Sequence, residues 1–424
     1  MLDLKLIRSD PERVKAALAR RGAAEQVDEL LALDARRREL LPRIEGAQAE
    51  RKTISKTIGE AKQRGEAQLA EQMAAVAELK QAIDSGKAEL EQVDADLQRV
   101  ATTLPNLPDP DAPEGMTEED AVVLREEGEP PSFNFEPRDH LEIGSELDLI
   151  DMEAGARVSG SRFAYIKGDL VLLELALVRF ALDLVREEGH EPVVPPVLVR
   201  EEALVGTGFL PGDRDQIYEV PKDELFLVGT SEVPLAALHA DQILAAEELP
   251  IRYAGFSPCF RREAGAGGRD TRGIFRVHQF DKVEMFSFVE PSESAAEHER
   301  LLAIEERILA ELEIPYRVVN VAAGDLGAPA AKKYDCEAWI PSQGRYRELT
   351  SCSNTTDYQA RRLACRYRPN ENEAPEPVHT LNGTAVAVGR TMIALIENRQ
   401  EREGGFTLPT ILHSYGAPER IGSA

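Results

Sequence analysis

The sequence is short of several things. Its four cysteines (Cys259, Cys336, Cys352 and Cys365) are widely spaced, with no C-x-x-C pair among them. That excludes a disulfide framework and a paired-cysteine zinc site, and predicts reduced thiols in a cytosolic protein. Seven scattered histidines strengthen the case against a metal cage. No uncharged apolar run approaches the ~20 residues that a membrane span needs. The first residues carry Asp3 and no apolar stretch, so no signal peptide is expected and the protein is read as soluble and cytoplasmic. Basic residues are outnumbered, and a net charge of −26 argues against general coating of nucleic acid, although it permits a local basic patch. Neither familiar phosphate loop is present. There is no G-x-x-x-x-G-K-[ST], and Gly265, Gly267 and Gly268 do not sit between a strand and a helix.

What is present divides into parts, as 424 residues with 42% hydrophobic content require. Ser9, Asp10, Pro11 and Glu12 read as a capping box opening a short helix that Gly22 stops. Leu30, Arg37, Ile44, Arg51 and Ile58 then repeat every seven residues, with Leu33, Leu40, Ala47, Ile54 and Ala61 three later. A second series runs through Leu69, Val76, Ile83, Leu90 and Leu97, partnered by Gln72, Leu79, Gly86, Val93 and Val100. Two heptad helices broken at 62–68 predict an antiparallel coiled-coil hairpin, with a bend at Pro42. Residues 34–64 carry nine basic and five acidic side chains, against three and eight over 65–100. The first helix is therefore a candidate for a nucleic-acid backbone, although an ordinary coiled coil with mixed flanking charges has the same composition. The acidic, Pro-rich segment 104–137 reads as a linker between 1–103 and a domain at 138–424.

In that second domain a helix opens at Asp169 and ends near Gly189. The Pro-rich run 190–199 suits only an edge or interface strand. A short strand at 224–229 delivers Thr230, Ser231 and Glu232, which could hold an ammonium group or cap the helix that follows. Further on, 291–313 reads as a helix, and 316–321, 335–340 and 346–352 as strands, the last carrying Glu348, Leu349, Thr350 and Ser351. Leu381 to Thr384 ends a strand, and Gly389-Arg390 opens an apolar helix. The central feature is 252–288. Two aromatic-rich runs, 253–260 and 274–288, flank a segment in which Arg261, Arg262, Arg269, Arg272 and Arg276 alternate with glycines. The pattern predicts a long antiparallel hairpin. Its guanidinium forks suit phosphate or carboxylate, and the same composition suits a solvated charged hairpin. The fold class that follows is α+β, with an antiparallel sheet and helices packed on one side.

Together these features resemble a bacterial-type seryl-tRNA synthetase along essentially the whole chain, with a coiled-coil helical arm and a class II synthetase antiparallel-sheet catalytic domain. The strand ending at Pro196 resembles class II motif 1, which in the family lies at the homodimer interface. The hairpin resembles motif 2, with Phe260, Arg261, Arg262 and Glu263 on its first strand and Arg276 to Glu284 on its second. Gly389 and Arg390 resemble motif 3. The resemblance implies that Arg261 bridges the substrate carboxylate and the α-phosphate of ATP, with Arg262 beside it. It implies that Glu263 reads the adenine amino group, that Phe280 stacks on the ring, and that Val277 lines the site. Arg276 and Arg390 would hold the bent phosphate tail, while Glu348 and Ser351, flanking Leu349 and Thr350, would ligate Mg²⁺. Thr230, Ser231, Glu232, Glu284, Asn382 and Thr384 would form the L-serine pocket. Arg261, Glu284 and Arg390 are thus the candidate catalytic residues. The arm would take the long variable arm of serine tRNA, and selenocysteine tRNA is generally accepted by the family as well. Residues 264–273 are expected to be a mobile loop facing the tRNA acceptor end. Cys259 and Cys352, beside motif residues, are expected to be core thiols. Two alternatives have different consequences: an amino-acid:carrier-protein ligase would lack the arm, and a non-catalytic tRNA-binding paralogue would have lost Arg261, Glu284 or Arg390.

Overall fold

A computed structural model describes residues 1–64, 70–264, 270 and 272–422. Two compact units are formed by Leu2–Leu104 and by Met1 with Pro105–Ala424.

The first unit is helical: α1 (Leu4–Ser9), α2 (Pro11–Ala19), α3 (Glu25–Gln63) and α4 (Ala70–Thr103). The cap of α2 is Asp10 rather than Ser9, because Ser9 closes α1; the Asp10 carboxylate accepts from the Arg13 N–H. Several of the heptad positions are buried. Leu40 and Ile44 bury against Val93, and Ile83, Gly86, Leu97 and Val100 are also buried. Gly86 is required there, since a Cβ would fall 2.9 Å from Ile44 Cγ1. Arg37–Asp94 (2.7 Å) and Arg99–Glu29 (3.4 Å) fix the antiparallel direction. Pro42 lies inside α3 without ending it. At ~1.5 Å per residue the 39 residues of α3 extend roughly 60 Å. The basic cluster divides: Arg36, Arg37 and Arg38 pair with acids of the hairpin itself, whereas Arg43, Lys52 and Lys62 are exposed.

The second unit is built on an eight-stranded sheet. Its strands are β1 (Val122–Glu127), β2 (Glu191–Val193), β3 (Ile251–Phe260), β4 (Gln279–Val289), β5 (Tyr316–Asn320), β6 (Lys332–Ile340), β7 (Arg345–Thr356) and β8 (His379–Ala387). Their order is β1-β5-β6-β7-β8-β4-β3-β2, and every pair is antiparallel except β2 with β3. β2 contains Pro192 and sits at the edge, where a missing N–H costs no ladder bond. The expected linker needs correcting, because Val122–Glu127 within it forms the opposite edge strand. The large core gathers side chains from the helices Asp169–Glu187, Ser294–Glu311 and Val388–Asn398 with one face of the sheet. All four cysteines are buried and unpaired.

Two boundaries differ from expectation. β4 begins at Gln279, not near Ile274, because the buried Ile274 and Phe275 break the alternation that a half-buried strand needs. The segment Leu381 to Thr384 lies inside β8, which continues to Ala387.

Candidate active site

Alternation along β4 sorts its side chains. Met285 and Val283 enter the large core, while Phe286 and Phe288 join a second cluster with Leu235 and Leu363. Period two therefore places Phe280, Lys282 and Glu284 on the face away from the helices. Two β-bulges then aim the neighbouring strands at the same place. In the β6–β7 pair Glu337 faces Glu348 and Cys336 faces Thr350, leaving Leu349 as the extra residue. In the β4–β8 pair Glu284 faces Thr384 and Val283 faces Val386, leaving Ala385 extra. Each bulge shifts the side-chain parity by one. Glu348 and Ser351, three apart, thus share one face, as do Thr384 and Ala387, and all four line one cleft.

That cleft is open to solvent and lined by both charged and aromatic side chains. Arg261 follows directly on β3. Its backbone N–H donates to the His278 carbonyl (3.0 Å), and its carbonyl accepts from His278 Nδ1 (2.8 Å). Its Nε donates to the Gly229 carbonyl (3.1 Å), and the guanidinium lies 5.3 Å from the Phe280 ring centre. Glu263, at φ +51°, turns the chain back and accepts from Arg276 Nη1 at 2.8 Å. Arg390 Nη1 donates to the Glu348 carbonyl (3.0 Å) and lies 3.5 Å from its carboxylate. Burial works against ionisation of Glu348, but Lys333, Arg390 and Arg261 outweigh it and hold the carboxyl well below its usual range. With 44% of the side chain exposed, part of that effect is screened by water.

Beside the cleft lies a buried polar pocket. Lys282 pairs with the 2%-exposed Glu284, which also accepts from Thr384 Oγ1 at 3.1 Å. Glu232 accepts from Gln359 Nε2 (2.7 Å) and Asn382 Nδ2 (3.0 Å) on one oxygen. Burial, then the Glu284 charge, push its carboxyl up to about 7. The Thr230 hydroxyl accepts from the Glu232 N–H at 3.2 Å. Two carboxylates held by neutral donors and one lysine leave an unbalanced negative charge, suited to an ammonium group. Ser231 differs from its neighbours, with its hydroxyl engaged by Ser257 Oγ (2.8 Å) and the Gly255 carbonyl.

Of the residues expected to bind nucleotide, Arg261, Glu263, Arg276, Val277, Phe280, Glu348, Leu349, Thr350, Ser351 and Arg390 line the cleft. Arg262 does not: it is exposed, over the Tyr218 ring at 5.9 Å. Thr350 turns its hydroxyl away, to Glu305 at 2.7 Å. Of the expected loop, 265–269 and 271 lie outside the described residues. Sequence reasoning missed Lys282, although strand parity with Phe280 and Glu284 marks it. It also missed Phe275, whose ring centre lies 4.1 Å from the Arg347 guanidinium and 4.8 Å from that of Arg390, and Gln359, for which no sequence pattern existed.

Among the described residues no group of three or more His, Cys, Asp or Glu is placed to hold a metal. The ionised Glu348 with Ser351 offers the two hard oxygens that Mg²⁺ accepts when a phosphate chain and water supply the rest.

An antiparallel sheet with arginines at both ends of a cleft, reached by a motif-bearing hairpin, defines a class II aminoacyl-tRNA synthetase core. Residues 217–399 match the family described as tRNA synthetase class II core domain (G, H, P, S and T), and residues 1–108 match the seryl-tRNA synthetase N-terminal domain. The chain is 51% identical over 419 residues to a serine–tRNA ligase of Streptomyces coelicolor, covering 98% of this chain and 97% of that one. A crystal structure of seryl-tRNA synthetase from Pyrococcus horikoshii complexed with ATP superposes with a TM-score of 0.94 at 42% identity, covering all of both chains. The cytoplasmic serine–tRNA ligase of Naegleria fowleri in complex with AMP gives 0.88 at 33%, covering 99% and 98%. The chain belongs to the seryl-tRNA synthetase family.

Proposed function

We propose that this cleft joins L-serine to ATP and passes the seryl group to serine tRNA, and to selenocysteine tRNA as well. The serine carboxylate attacks the α-phosphorus in line, giving seryl-adenylate and pyrophosphate; a hydroxyl of the tRNA 3′ end then takes the seryl group and releases AMP. Arg261, between the pocket and the cleft, holds the carboxylate and α-phosphate together. Arg276 and Arg390 take the rest of the phosphate chain, Glu263 and Phe280 the adenine, with Val277 beside them. Bound Mg²⁺, held by Glu348 and Ser351, would neutralise phosphate charge. Thr230, Glu232 and Glu284 hold the ammonium group, and Glu284 with Thr384 receives the serine hydroxyl, with Asn382 alongside. Catalysis rests on positioning and charge stabilisation, so no protein nucleophile is needed. A polar pocket left unpaired rejects alanine; space must exclude threonine.

The observation that carries this reading is the pair of bulges bringing Glu348, Ser351 and Thr384 onto one cleft with Arg261 and Arg390. The arm, with its exposed Arg43, Lys52 and Lys62, supports tRNA binding by 1–103 and argues against a carrier-protein ligase. Retention of Arg261, Glu284 and Arg390 argues against a non-catalytic paralogue. A homodimer is supported by the β2 edge and the exposed Leu172, Leu175, Val194 and Leu198 around it. A cytoplasmic setting is supported by four unpaired cysteines. No helix among the described residues is long and apolar enough to cross a membrane. Crystallisation with a non-hydrolysable seryl-adenylate analogue is the test: the phosphate is expected between Arg261 and Arg390 and the amino group at Glu232, and a ligand bound elsewhere refutes the assignment.

A further inference from the structure

The return limb of the hairpin loop, Ile274 to Val277, supplies all four of its residues to the cleft and yet lies outside every strand ladder. Something else must hold it. We propose that His140 is a positioning residue for nucleotide binding, fixing this limb so that Phe275, Arg276 and Val277 line the cleft. The inference rests on the reading of that cleft as an ATP site.

His140 opens the helix His140–Glu146 and is 4% exposed. Its Nε2 lies 3.1 Å from the Ile274 amide nitrogen. An N–H can only donate, so Nε2 must accept, and the ring proton therefore sits on Nδ1. Nδ1 is 2.8 Å from Glu397 Oε1, to which it donates. The His140 backbone N–H donates to the same oxygen at 3.1 Å, and the Ser342 N–H donates to the other, also at 3.1 Å. Glu397 is fully buried and sets the tautomer, much as an acid behind a metal-bound histidine does. Gly273 makes the approach possible: its φ is +71°, and a Cβ there would fall 2.0 Å from His140 Nε2. Outside the ring, Arg272 clamps Asp139 at 2.6 Å and Glu142 at 3.0 Å.

The contacts close a circuit. Glu397 stands two turns beyond Arg390 on the helix Val388–Asn398. His140 passes the position of that helix to Ile274, and the ring of the next residue, Phe275, meets the Arg390 guanidinium at 4.8 Å. Both walls of the nucleotide cleft are thereby keyed to one histidine that does not line it.

The test separates the two hydrogen bonds. His140→Asn keeps a donor for Glu397 but has no acceptor reaching Ile274, whereas His140→Gln extends an amide oxygen toward the Nε2 position. Titration calorimetry with ATP should show a dissociation constant raised roughly five- to tenfold in His140→Asn, about one net hydrogen bond, and largely restored in His140→Gln. The KM for serine in pyrophosphate exchange should stay within about twofold of the parent for both variants. Amide exchange at Ile274 should accelerate in His140→Asn only. Equal ATP affinity in the two variants, or parallel loss for ATP and serine that follows the melting temperature, overturns the proposal in favour of a merely structural histidine. If the parent binds no ATP, the reading of the cleft fails separately; an Ile274 amide equally protected in His140→Asn and the parent would then still overturn the positioning bond.

Discussion

Replacing Glu232 by Gln should make the protein more stable and a poorer ligand for serine at once. Gln keeps an oxygen to accept from Gln359 and Asn382, so the packing around this 7%-exposed side chain is retained. What changes is charge. Burial and the neighbouring Glu284 raise the folded carboxyl from 4.5 to about 7. A raised folded value means the native state holds a proton that the unfolded chain has released. The associated stability is thus complete below pH 4.5 and lost as the pH rises through about 7. At pH 8 the wild type carries this penalty in full, on the order of 3 kcal/mol, and Glu232→Gln should recover a large part of it. Serine recognition goes the other way. A charge-assisted hydrogen bond to the ammonium group contributes about 1.5–3 kcal/mol, so the variant's KM for serine should rise roughly 10- to 150-fold. In the wild type that KM should fall as the pH is raised from 6 to 8, because binding at lower pH must first displace a proton; in the variant the slope should vanish. Chemical denaturation and serine-saturation curves of pyrophosphate exchange, each at pH 6 and 8, measure both effects. A variant with wild-type KM, or one that keeps the pH slope, would refute the assignment of Glu232 to the ammonium group.

Three other outcomes follow. Arg261→Lys should lower kcat for adenylate formation at least roughly 100-fold, since an ammonium cannot bridge carboxylate and phosphate bidentately; a loss below about tenfold in single-turnover rates would contradict the bridging role. Deleting residues 35–95, with a short turn joining the stumps, should leave pyrophosphate exchange near the parent rate while abolishing tRNA charging, and charging that survives sinks the arm reading. His190 and His298 are buried and held neutral, with burial lowering both to about 4. Because the unfolded chain takes up protons that these rings refuse, stability is full above pH 6.5 and lost as the pH falls toward 4. His298→Gln, which keeps a donor for the Cys352 carbonyl, should flatten that acid limb in denaturant titrations; an unchanged limb would show that His298 does not contribute to it.

Much of this was legible because the signals are local. The heptads of α3 and α4 needed only spacing, and the hairpin announced itself through paired aromatic runs around a Gly- and Arg-rich centre. The strand β1 gave no such signal: all six of its residues are exposed, so no alternation marks Val122–Glu127 within an acidic, Pro-rich stretch. The bulges at Leu349 and Ala385 were equally hidden, since a bulge is decided by the register of the partner strand. Yet these put Glu348 beside Ser351 and Thr384 beside Ala387. Gln359 and His140 act across more than one hundred residues of sequence, on Glu232 and on Ile274, and no window of local pattern spans that distance. Arg262, a neighbour of Arg261 in sequence, is exposed over the Tyr218 ring because adjacent residues of extended chain face opposite ways.

Activation of serine with ATP in one cleft is measured by serine-dependent exchange of labelled pyrophosphate into ATP. Exchange should require serine and Mg²⁺, run far faster with serine than with alanine or threonine, and collapse in Arg261→Lys. Absence of serine-dependent exchange, or a preference for alanine or threonine, would contradict it.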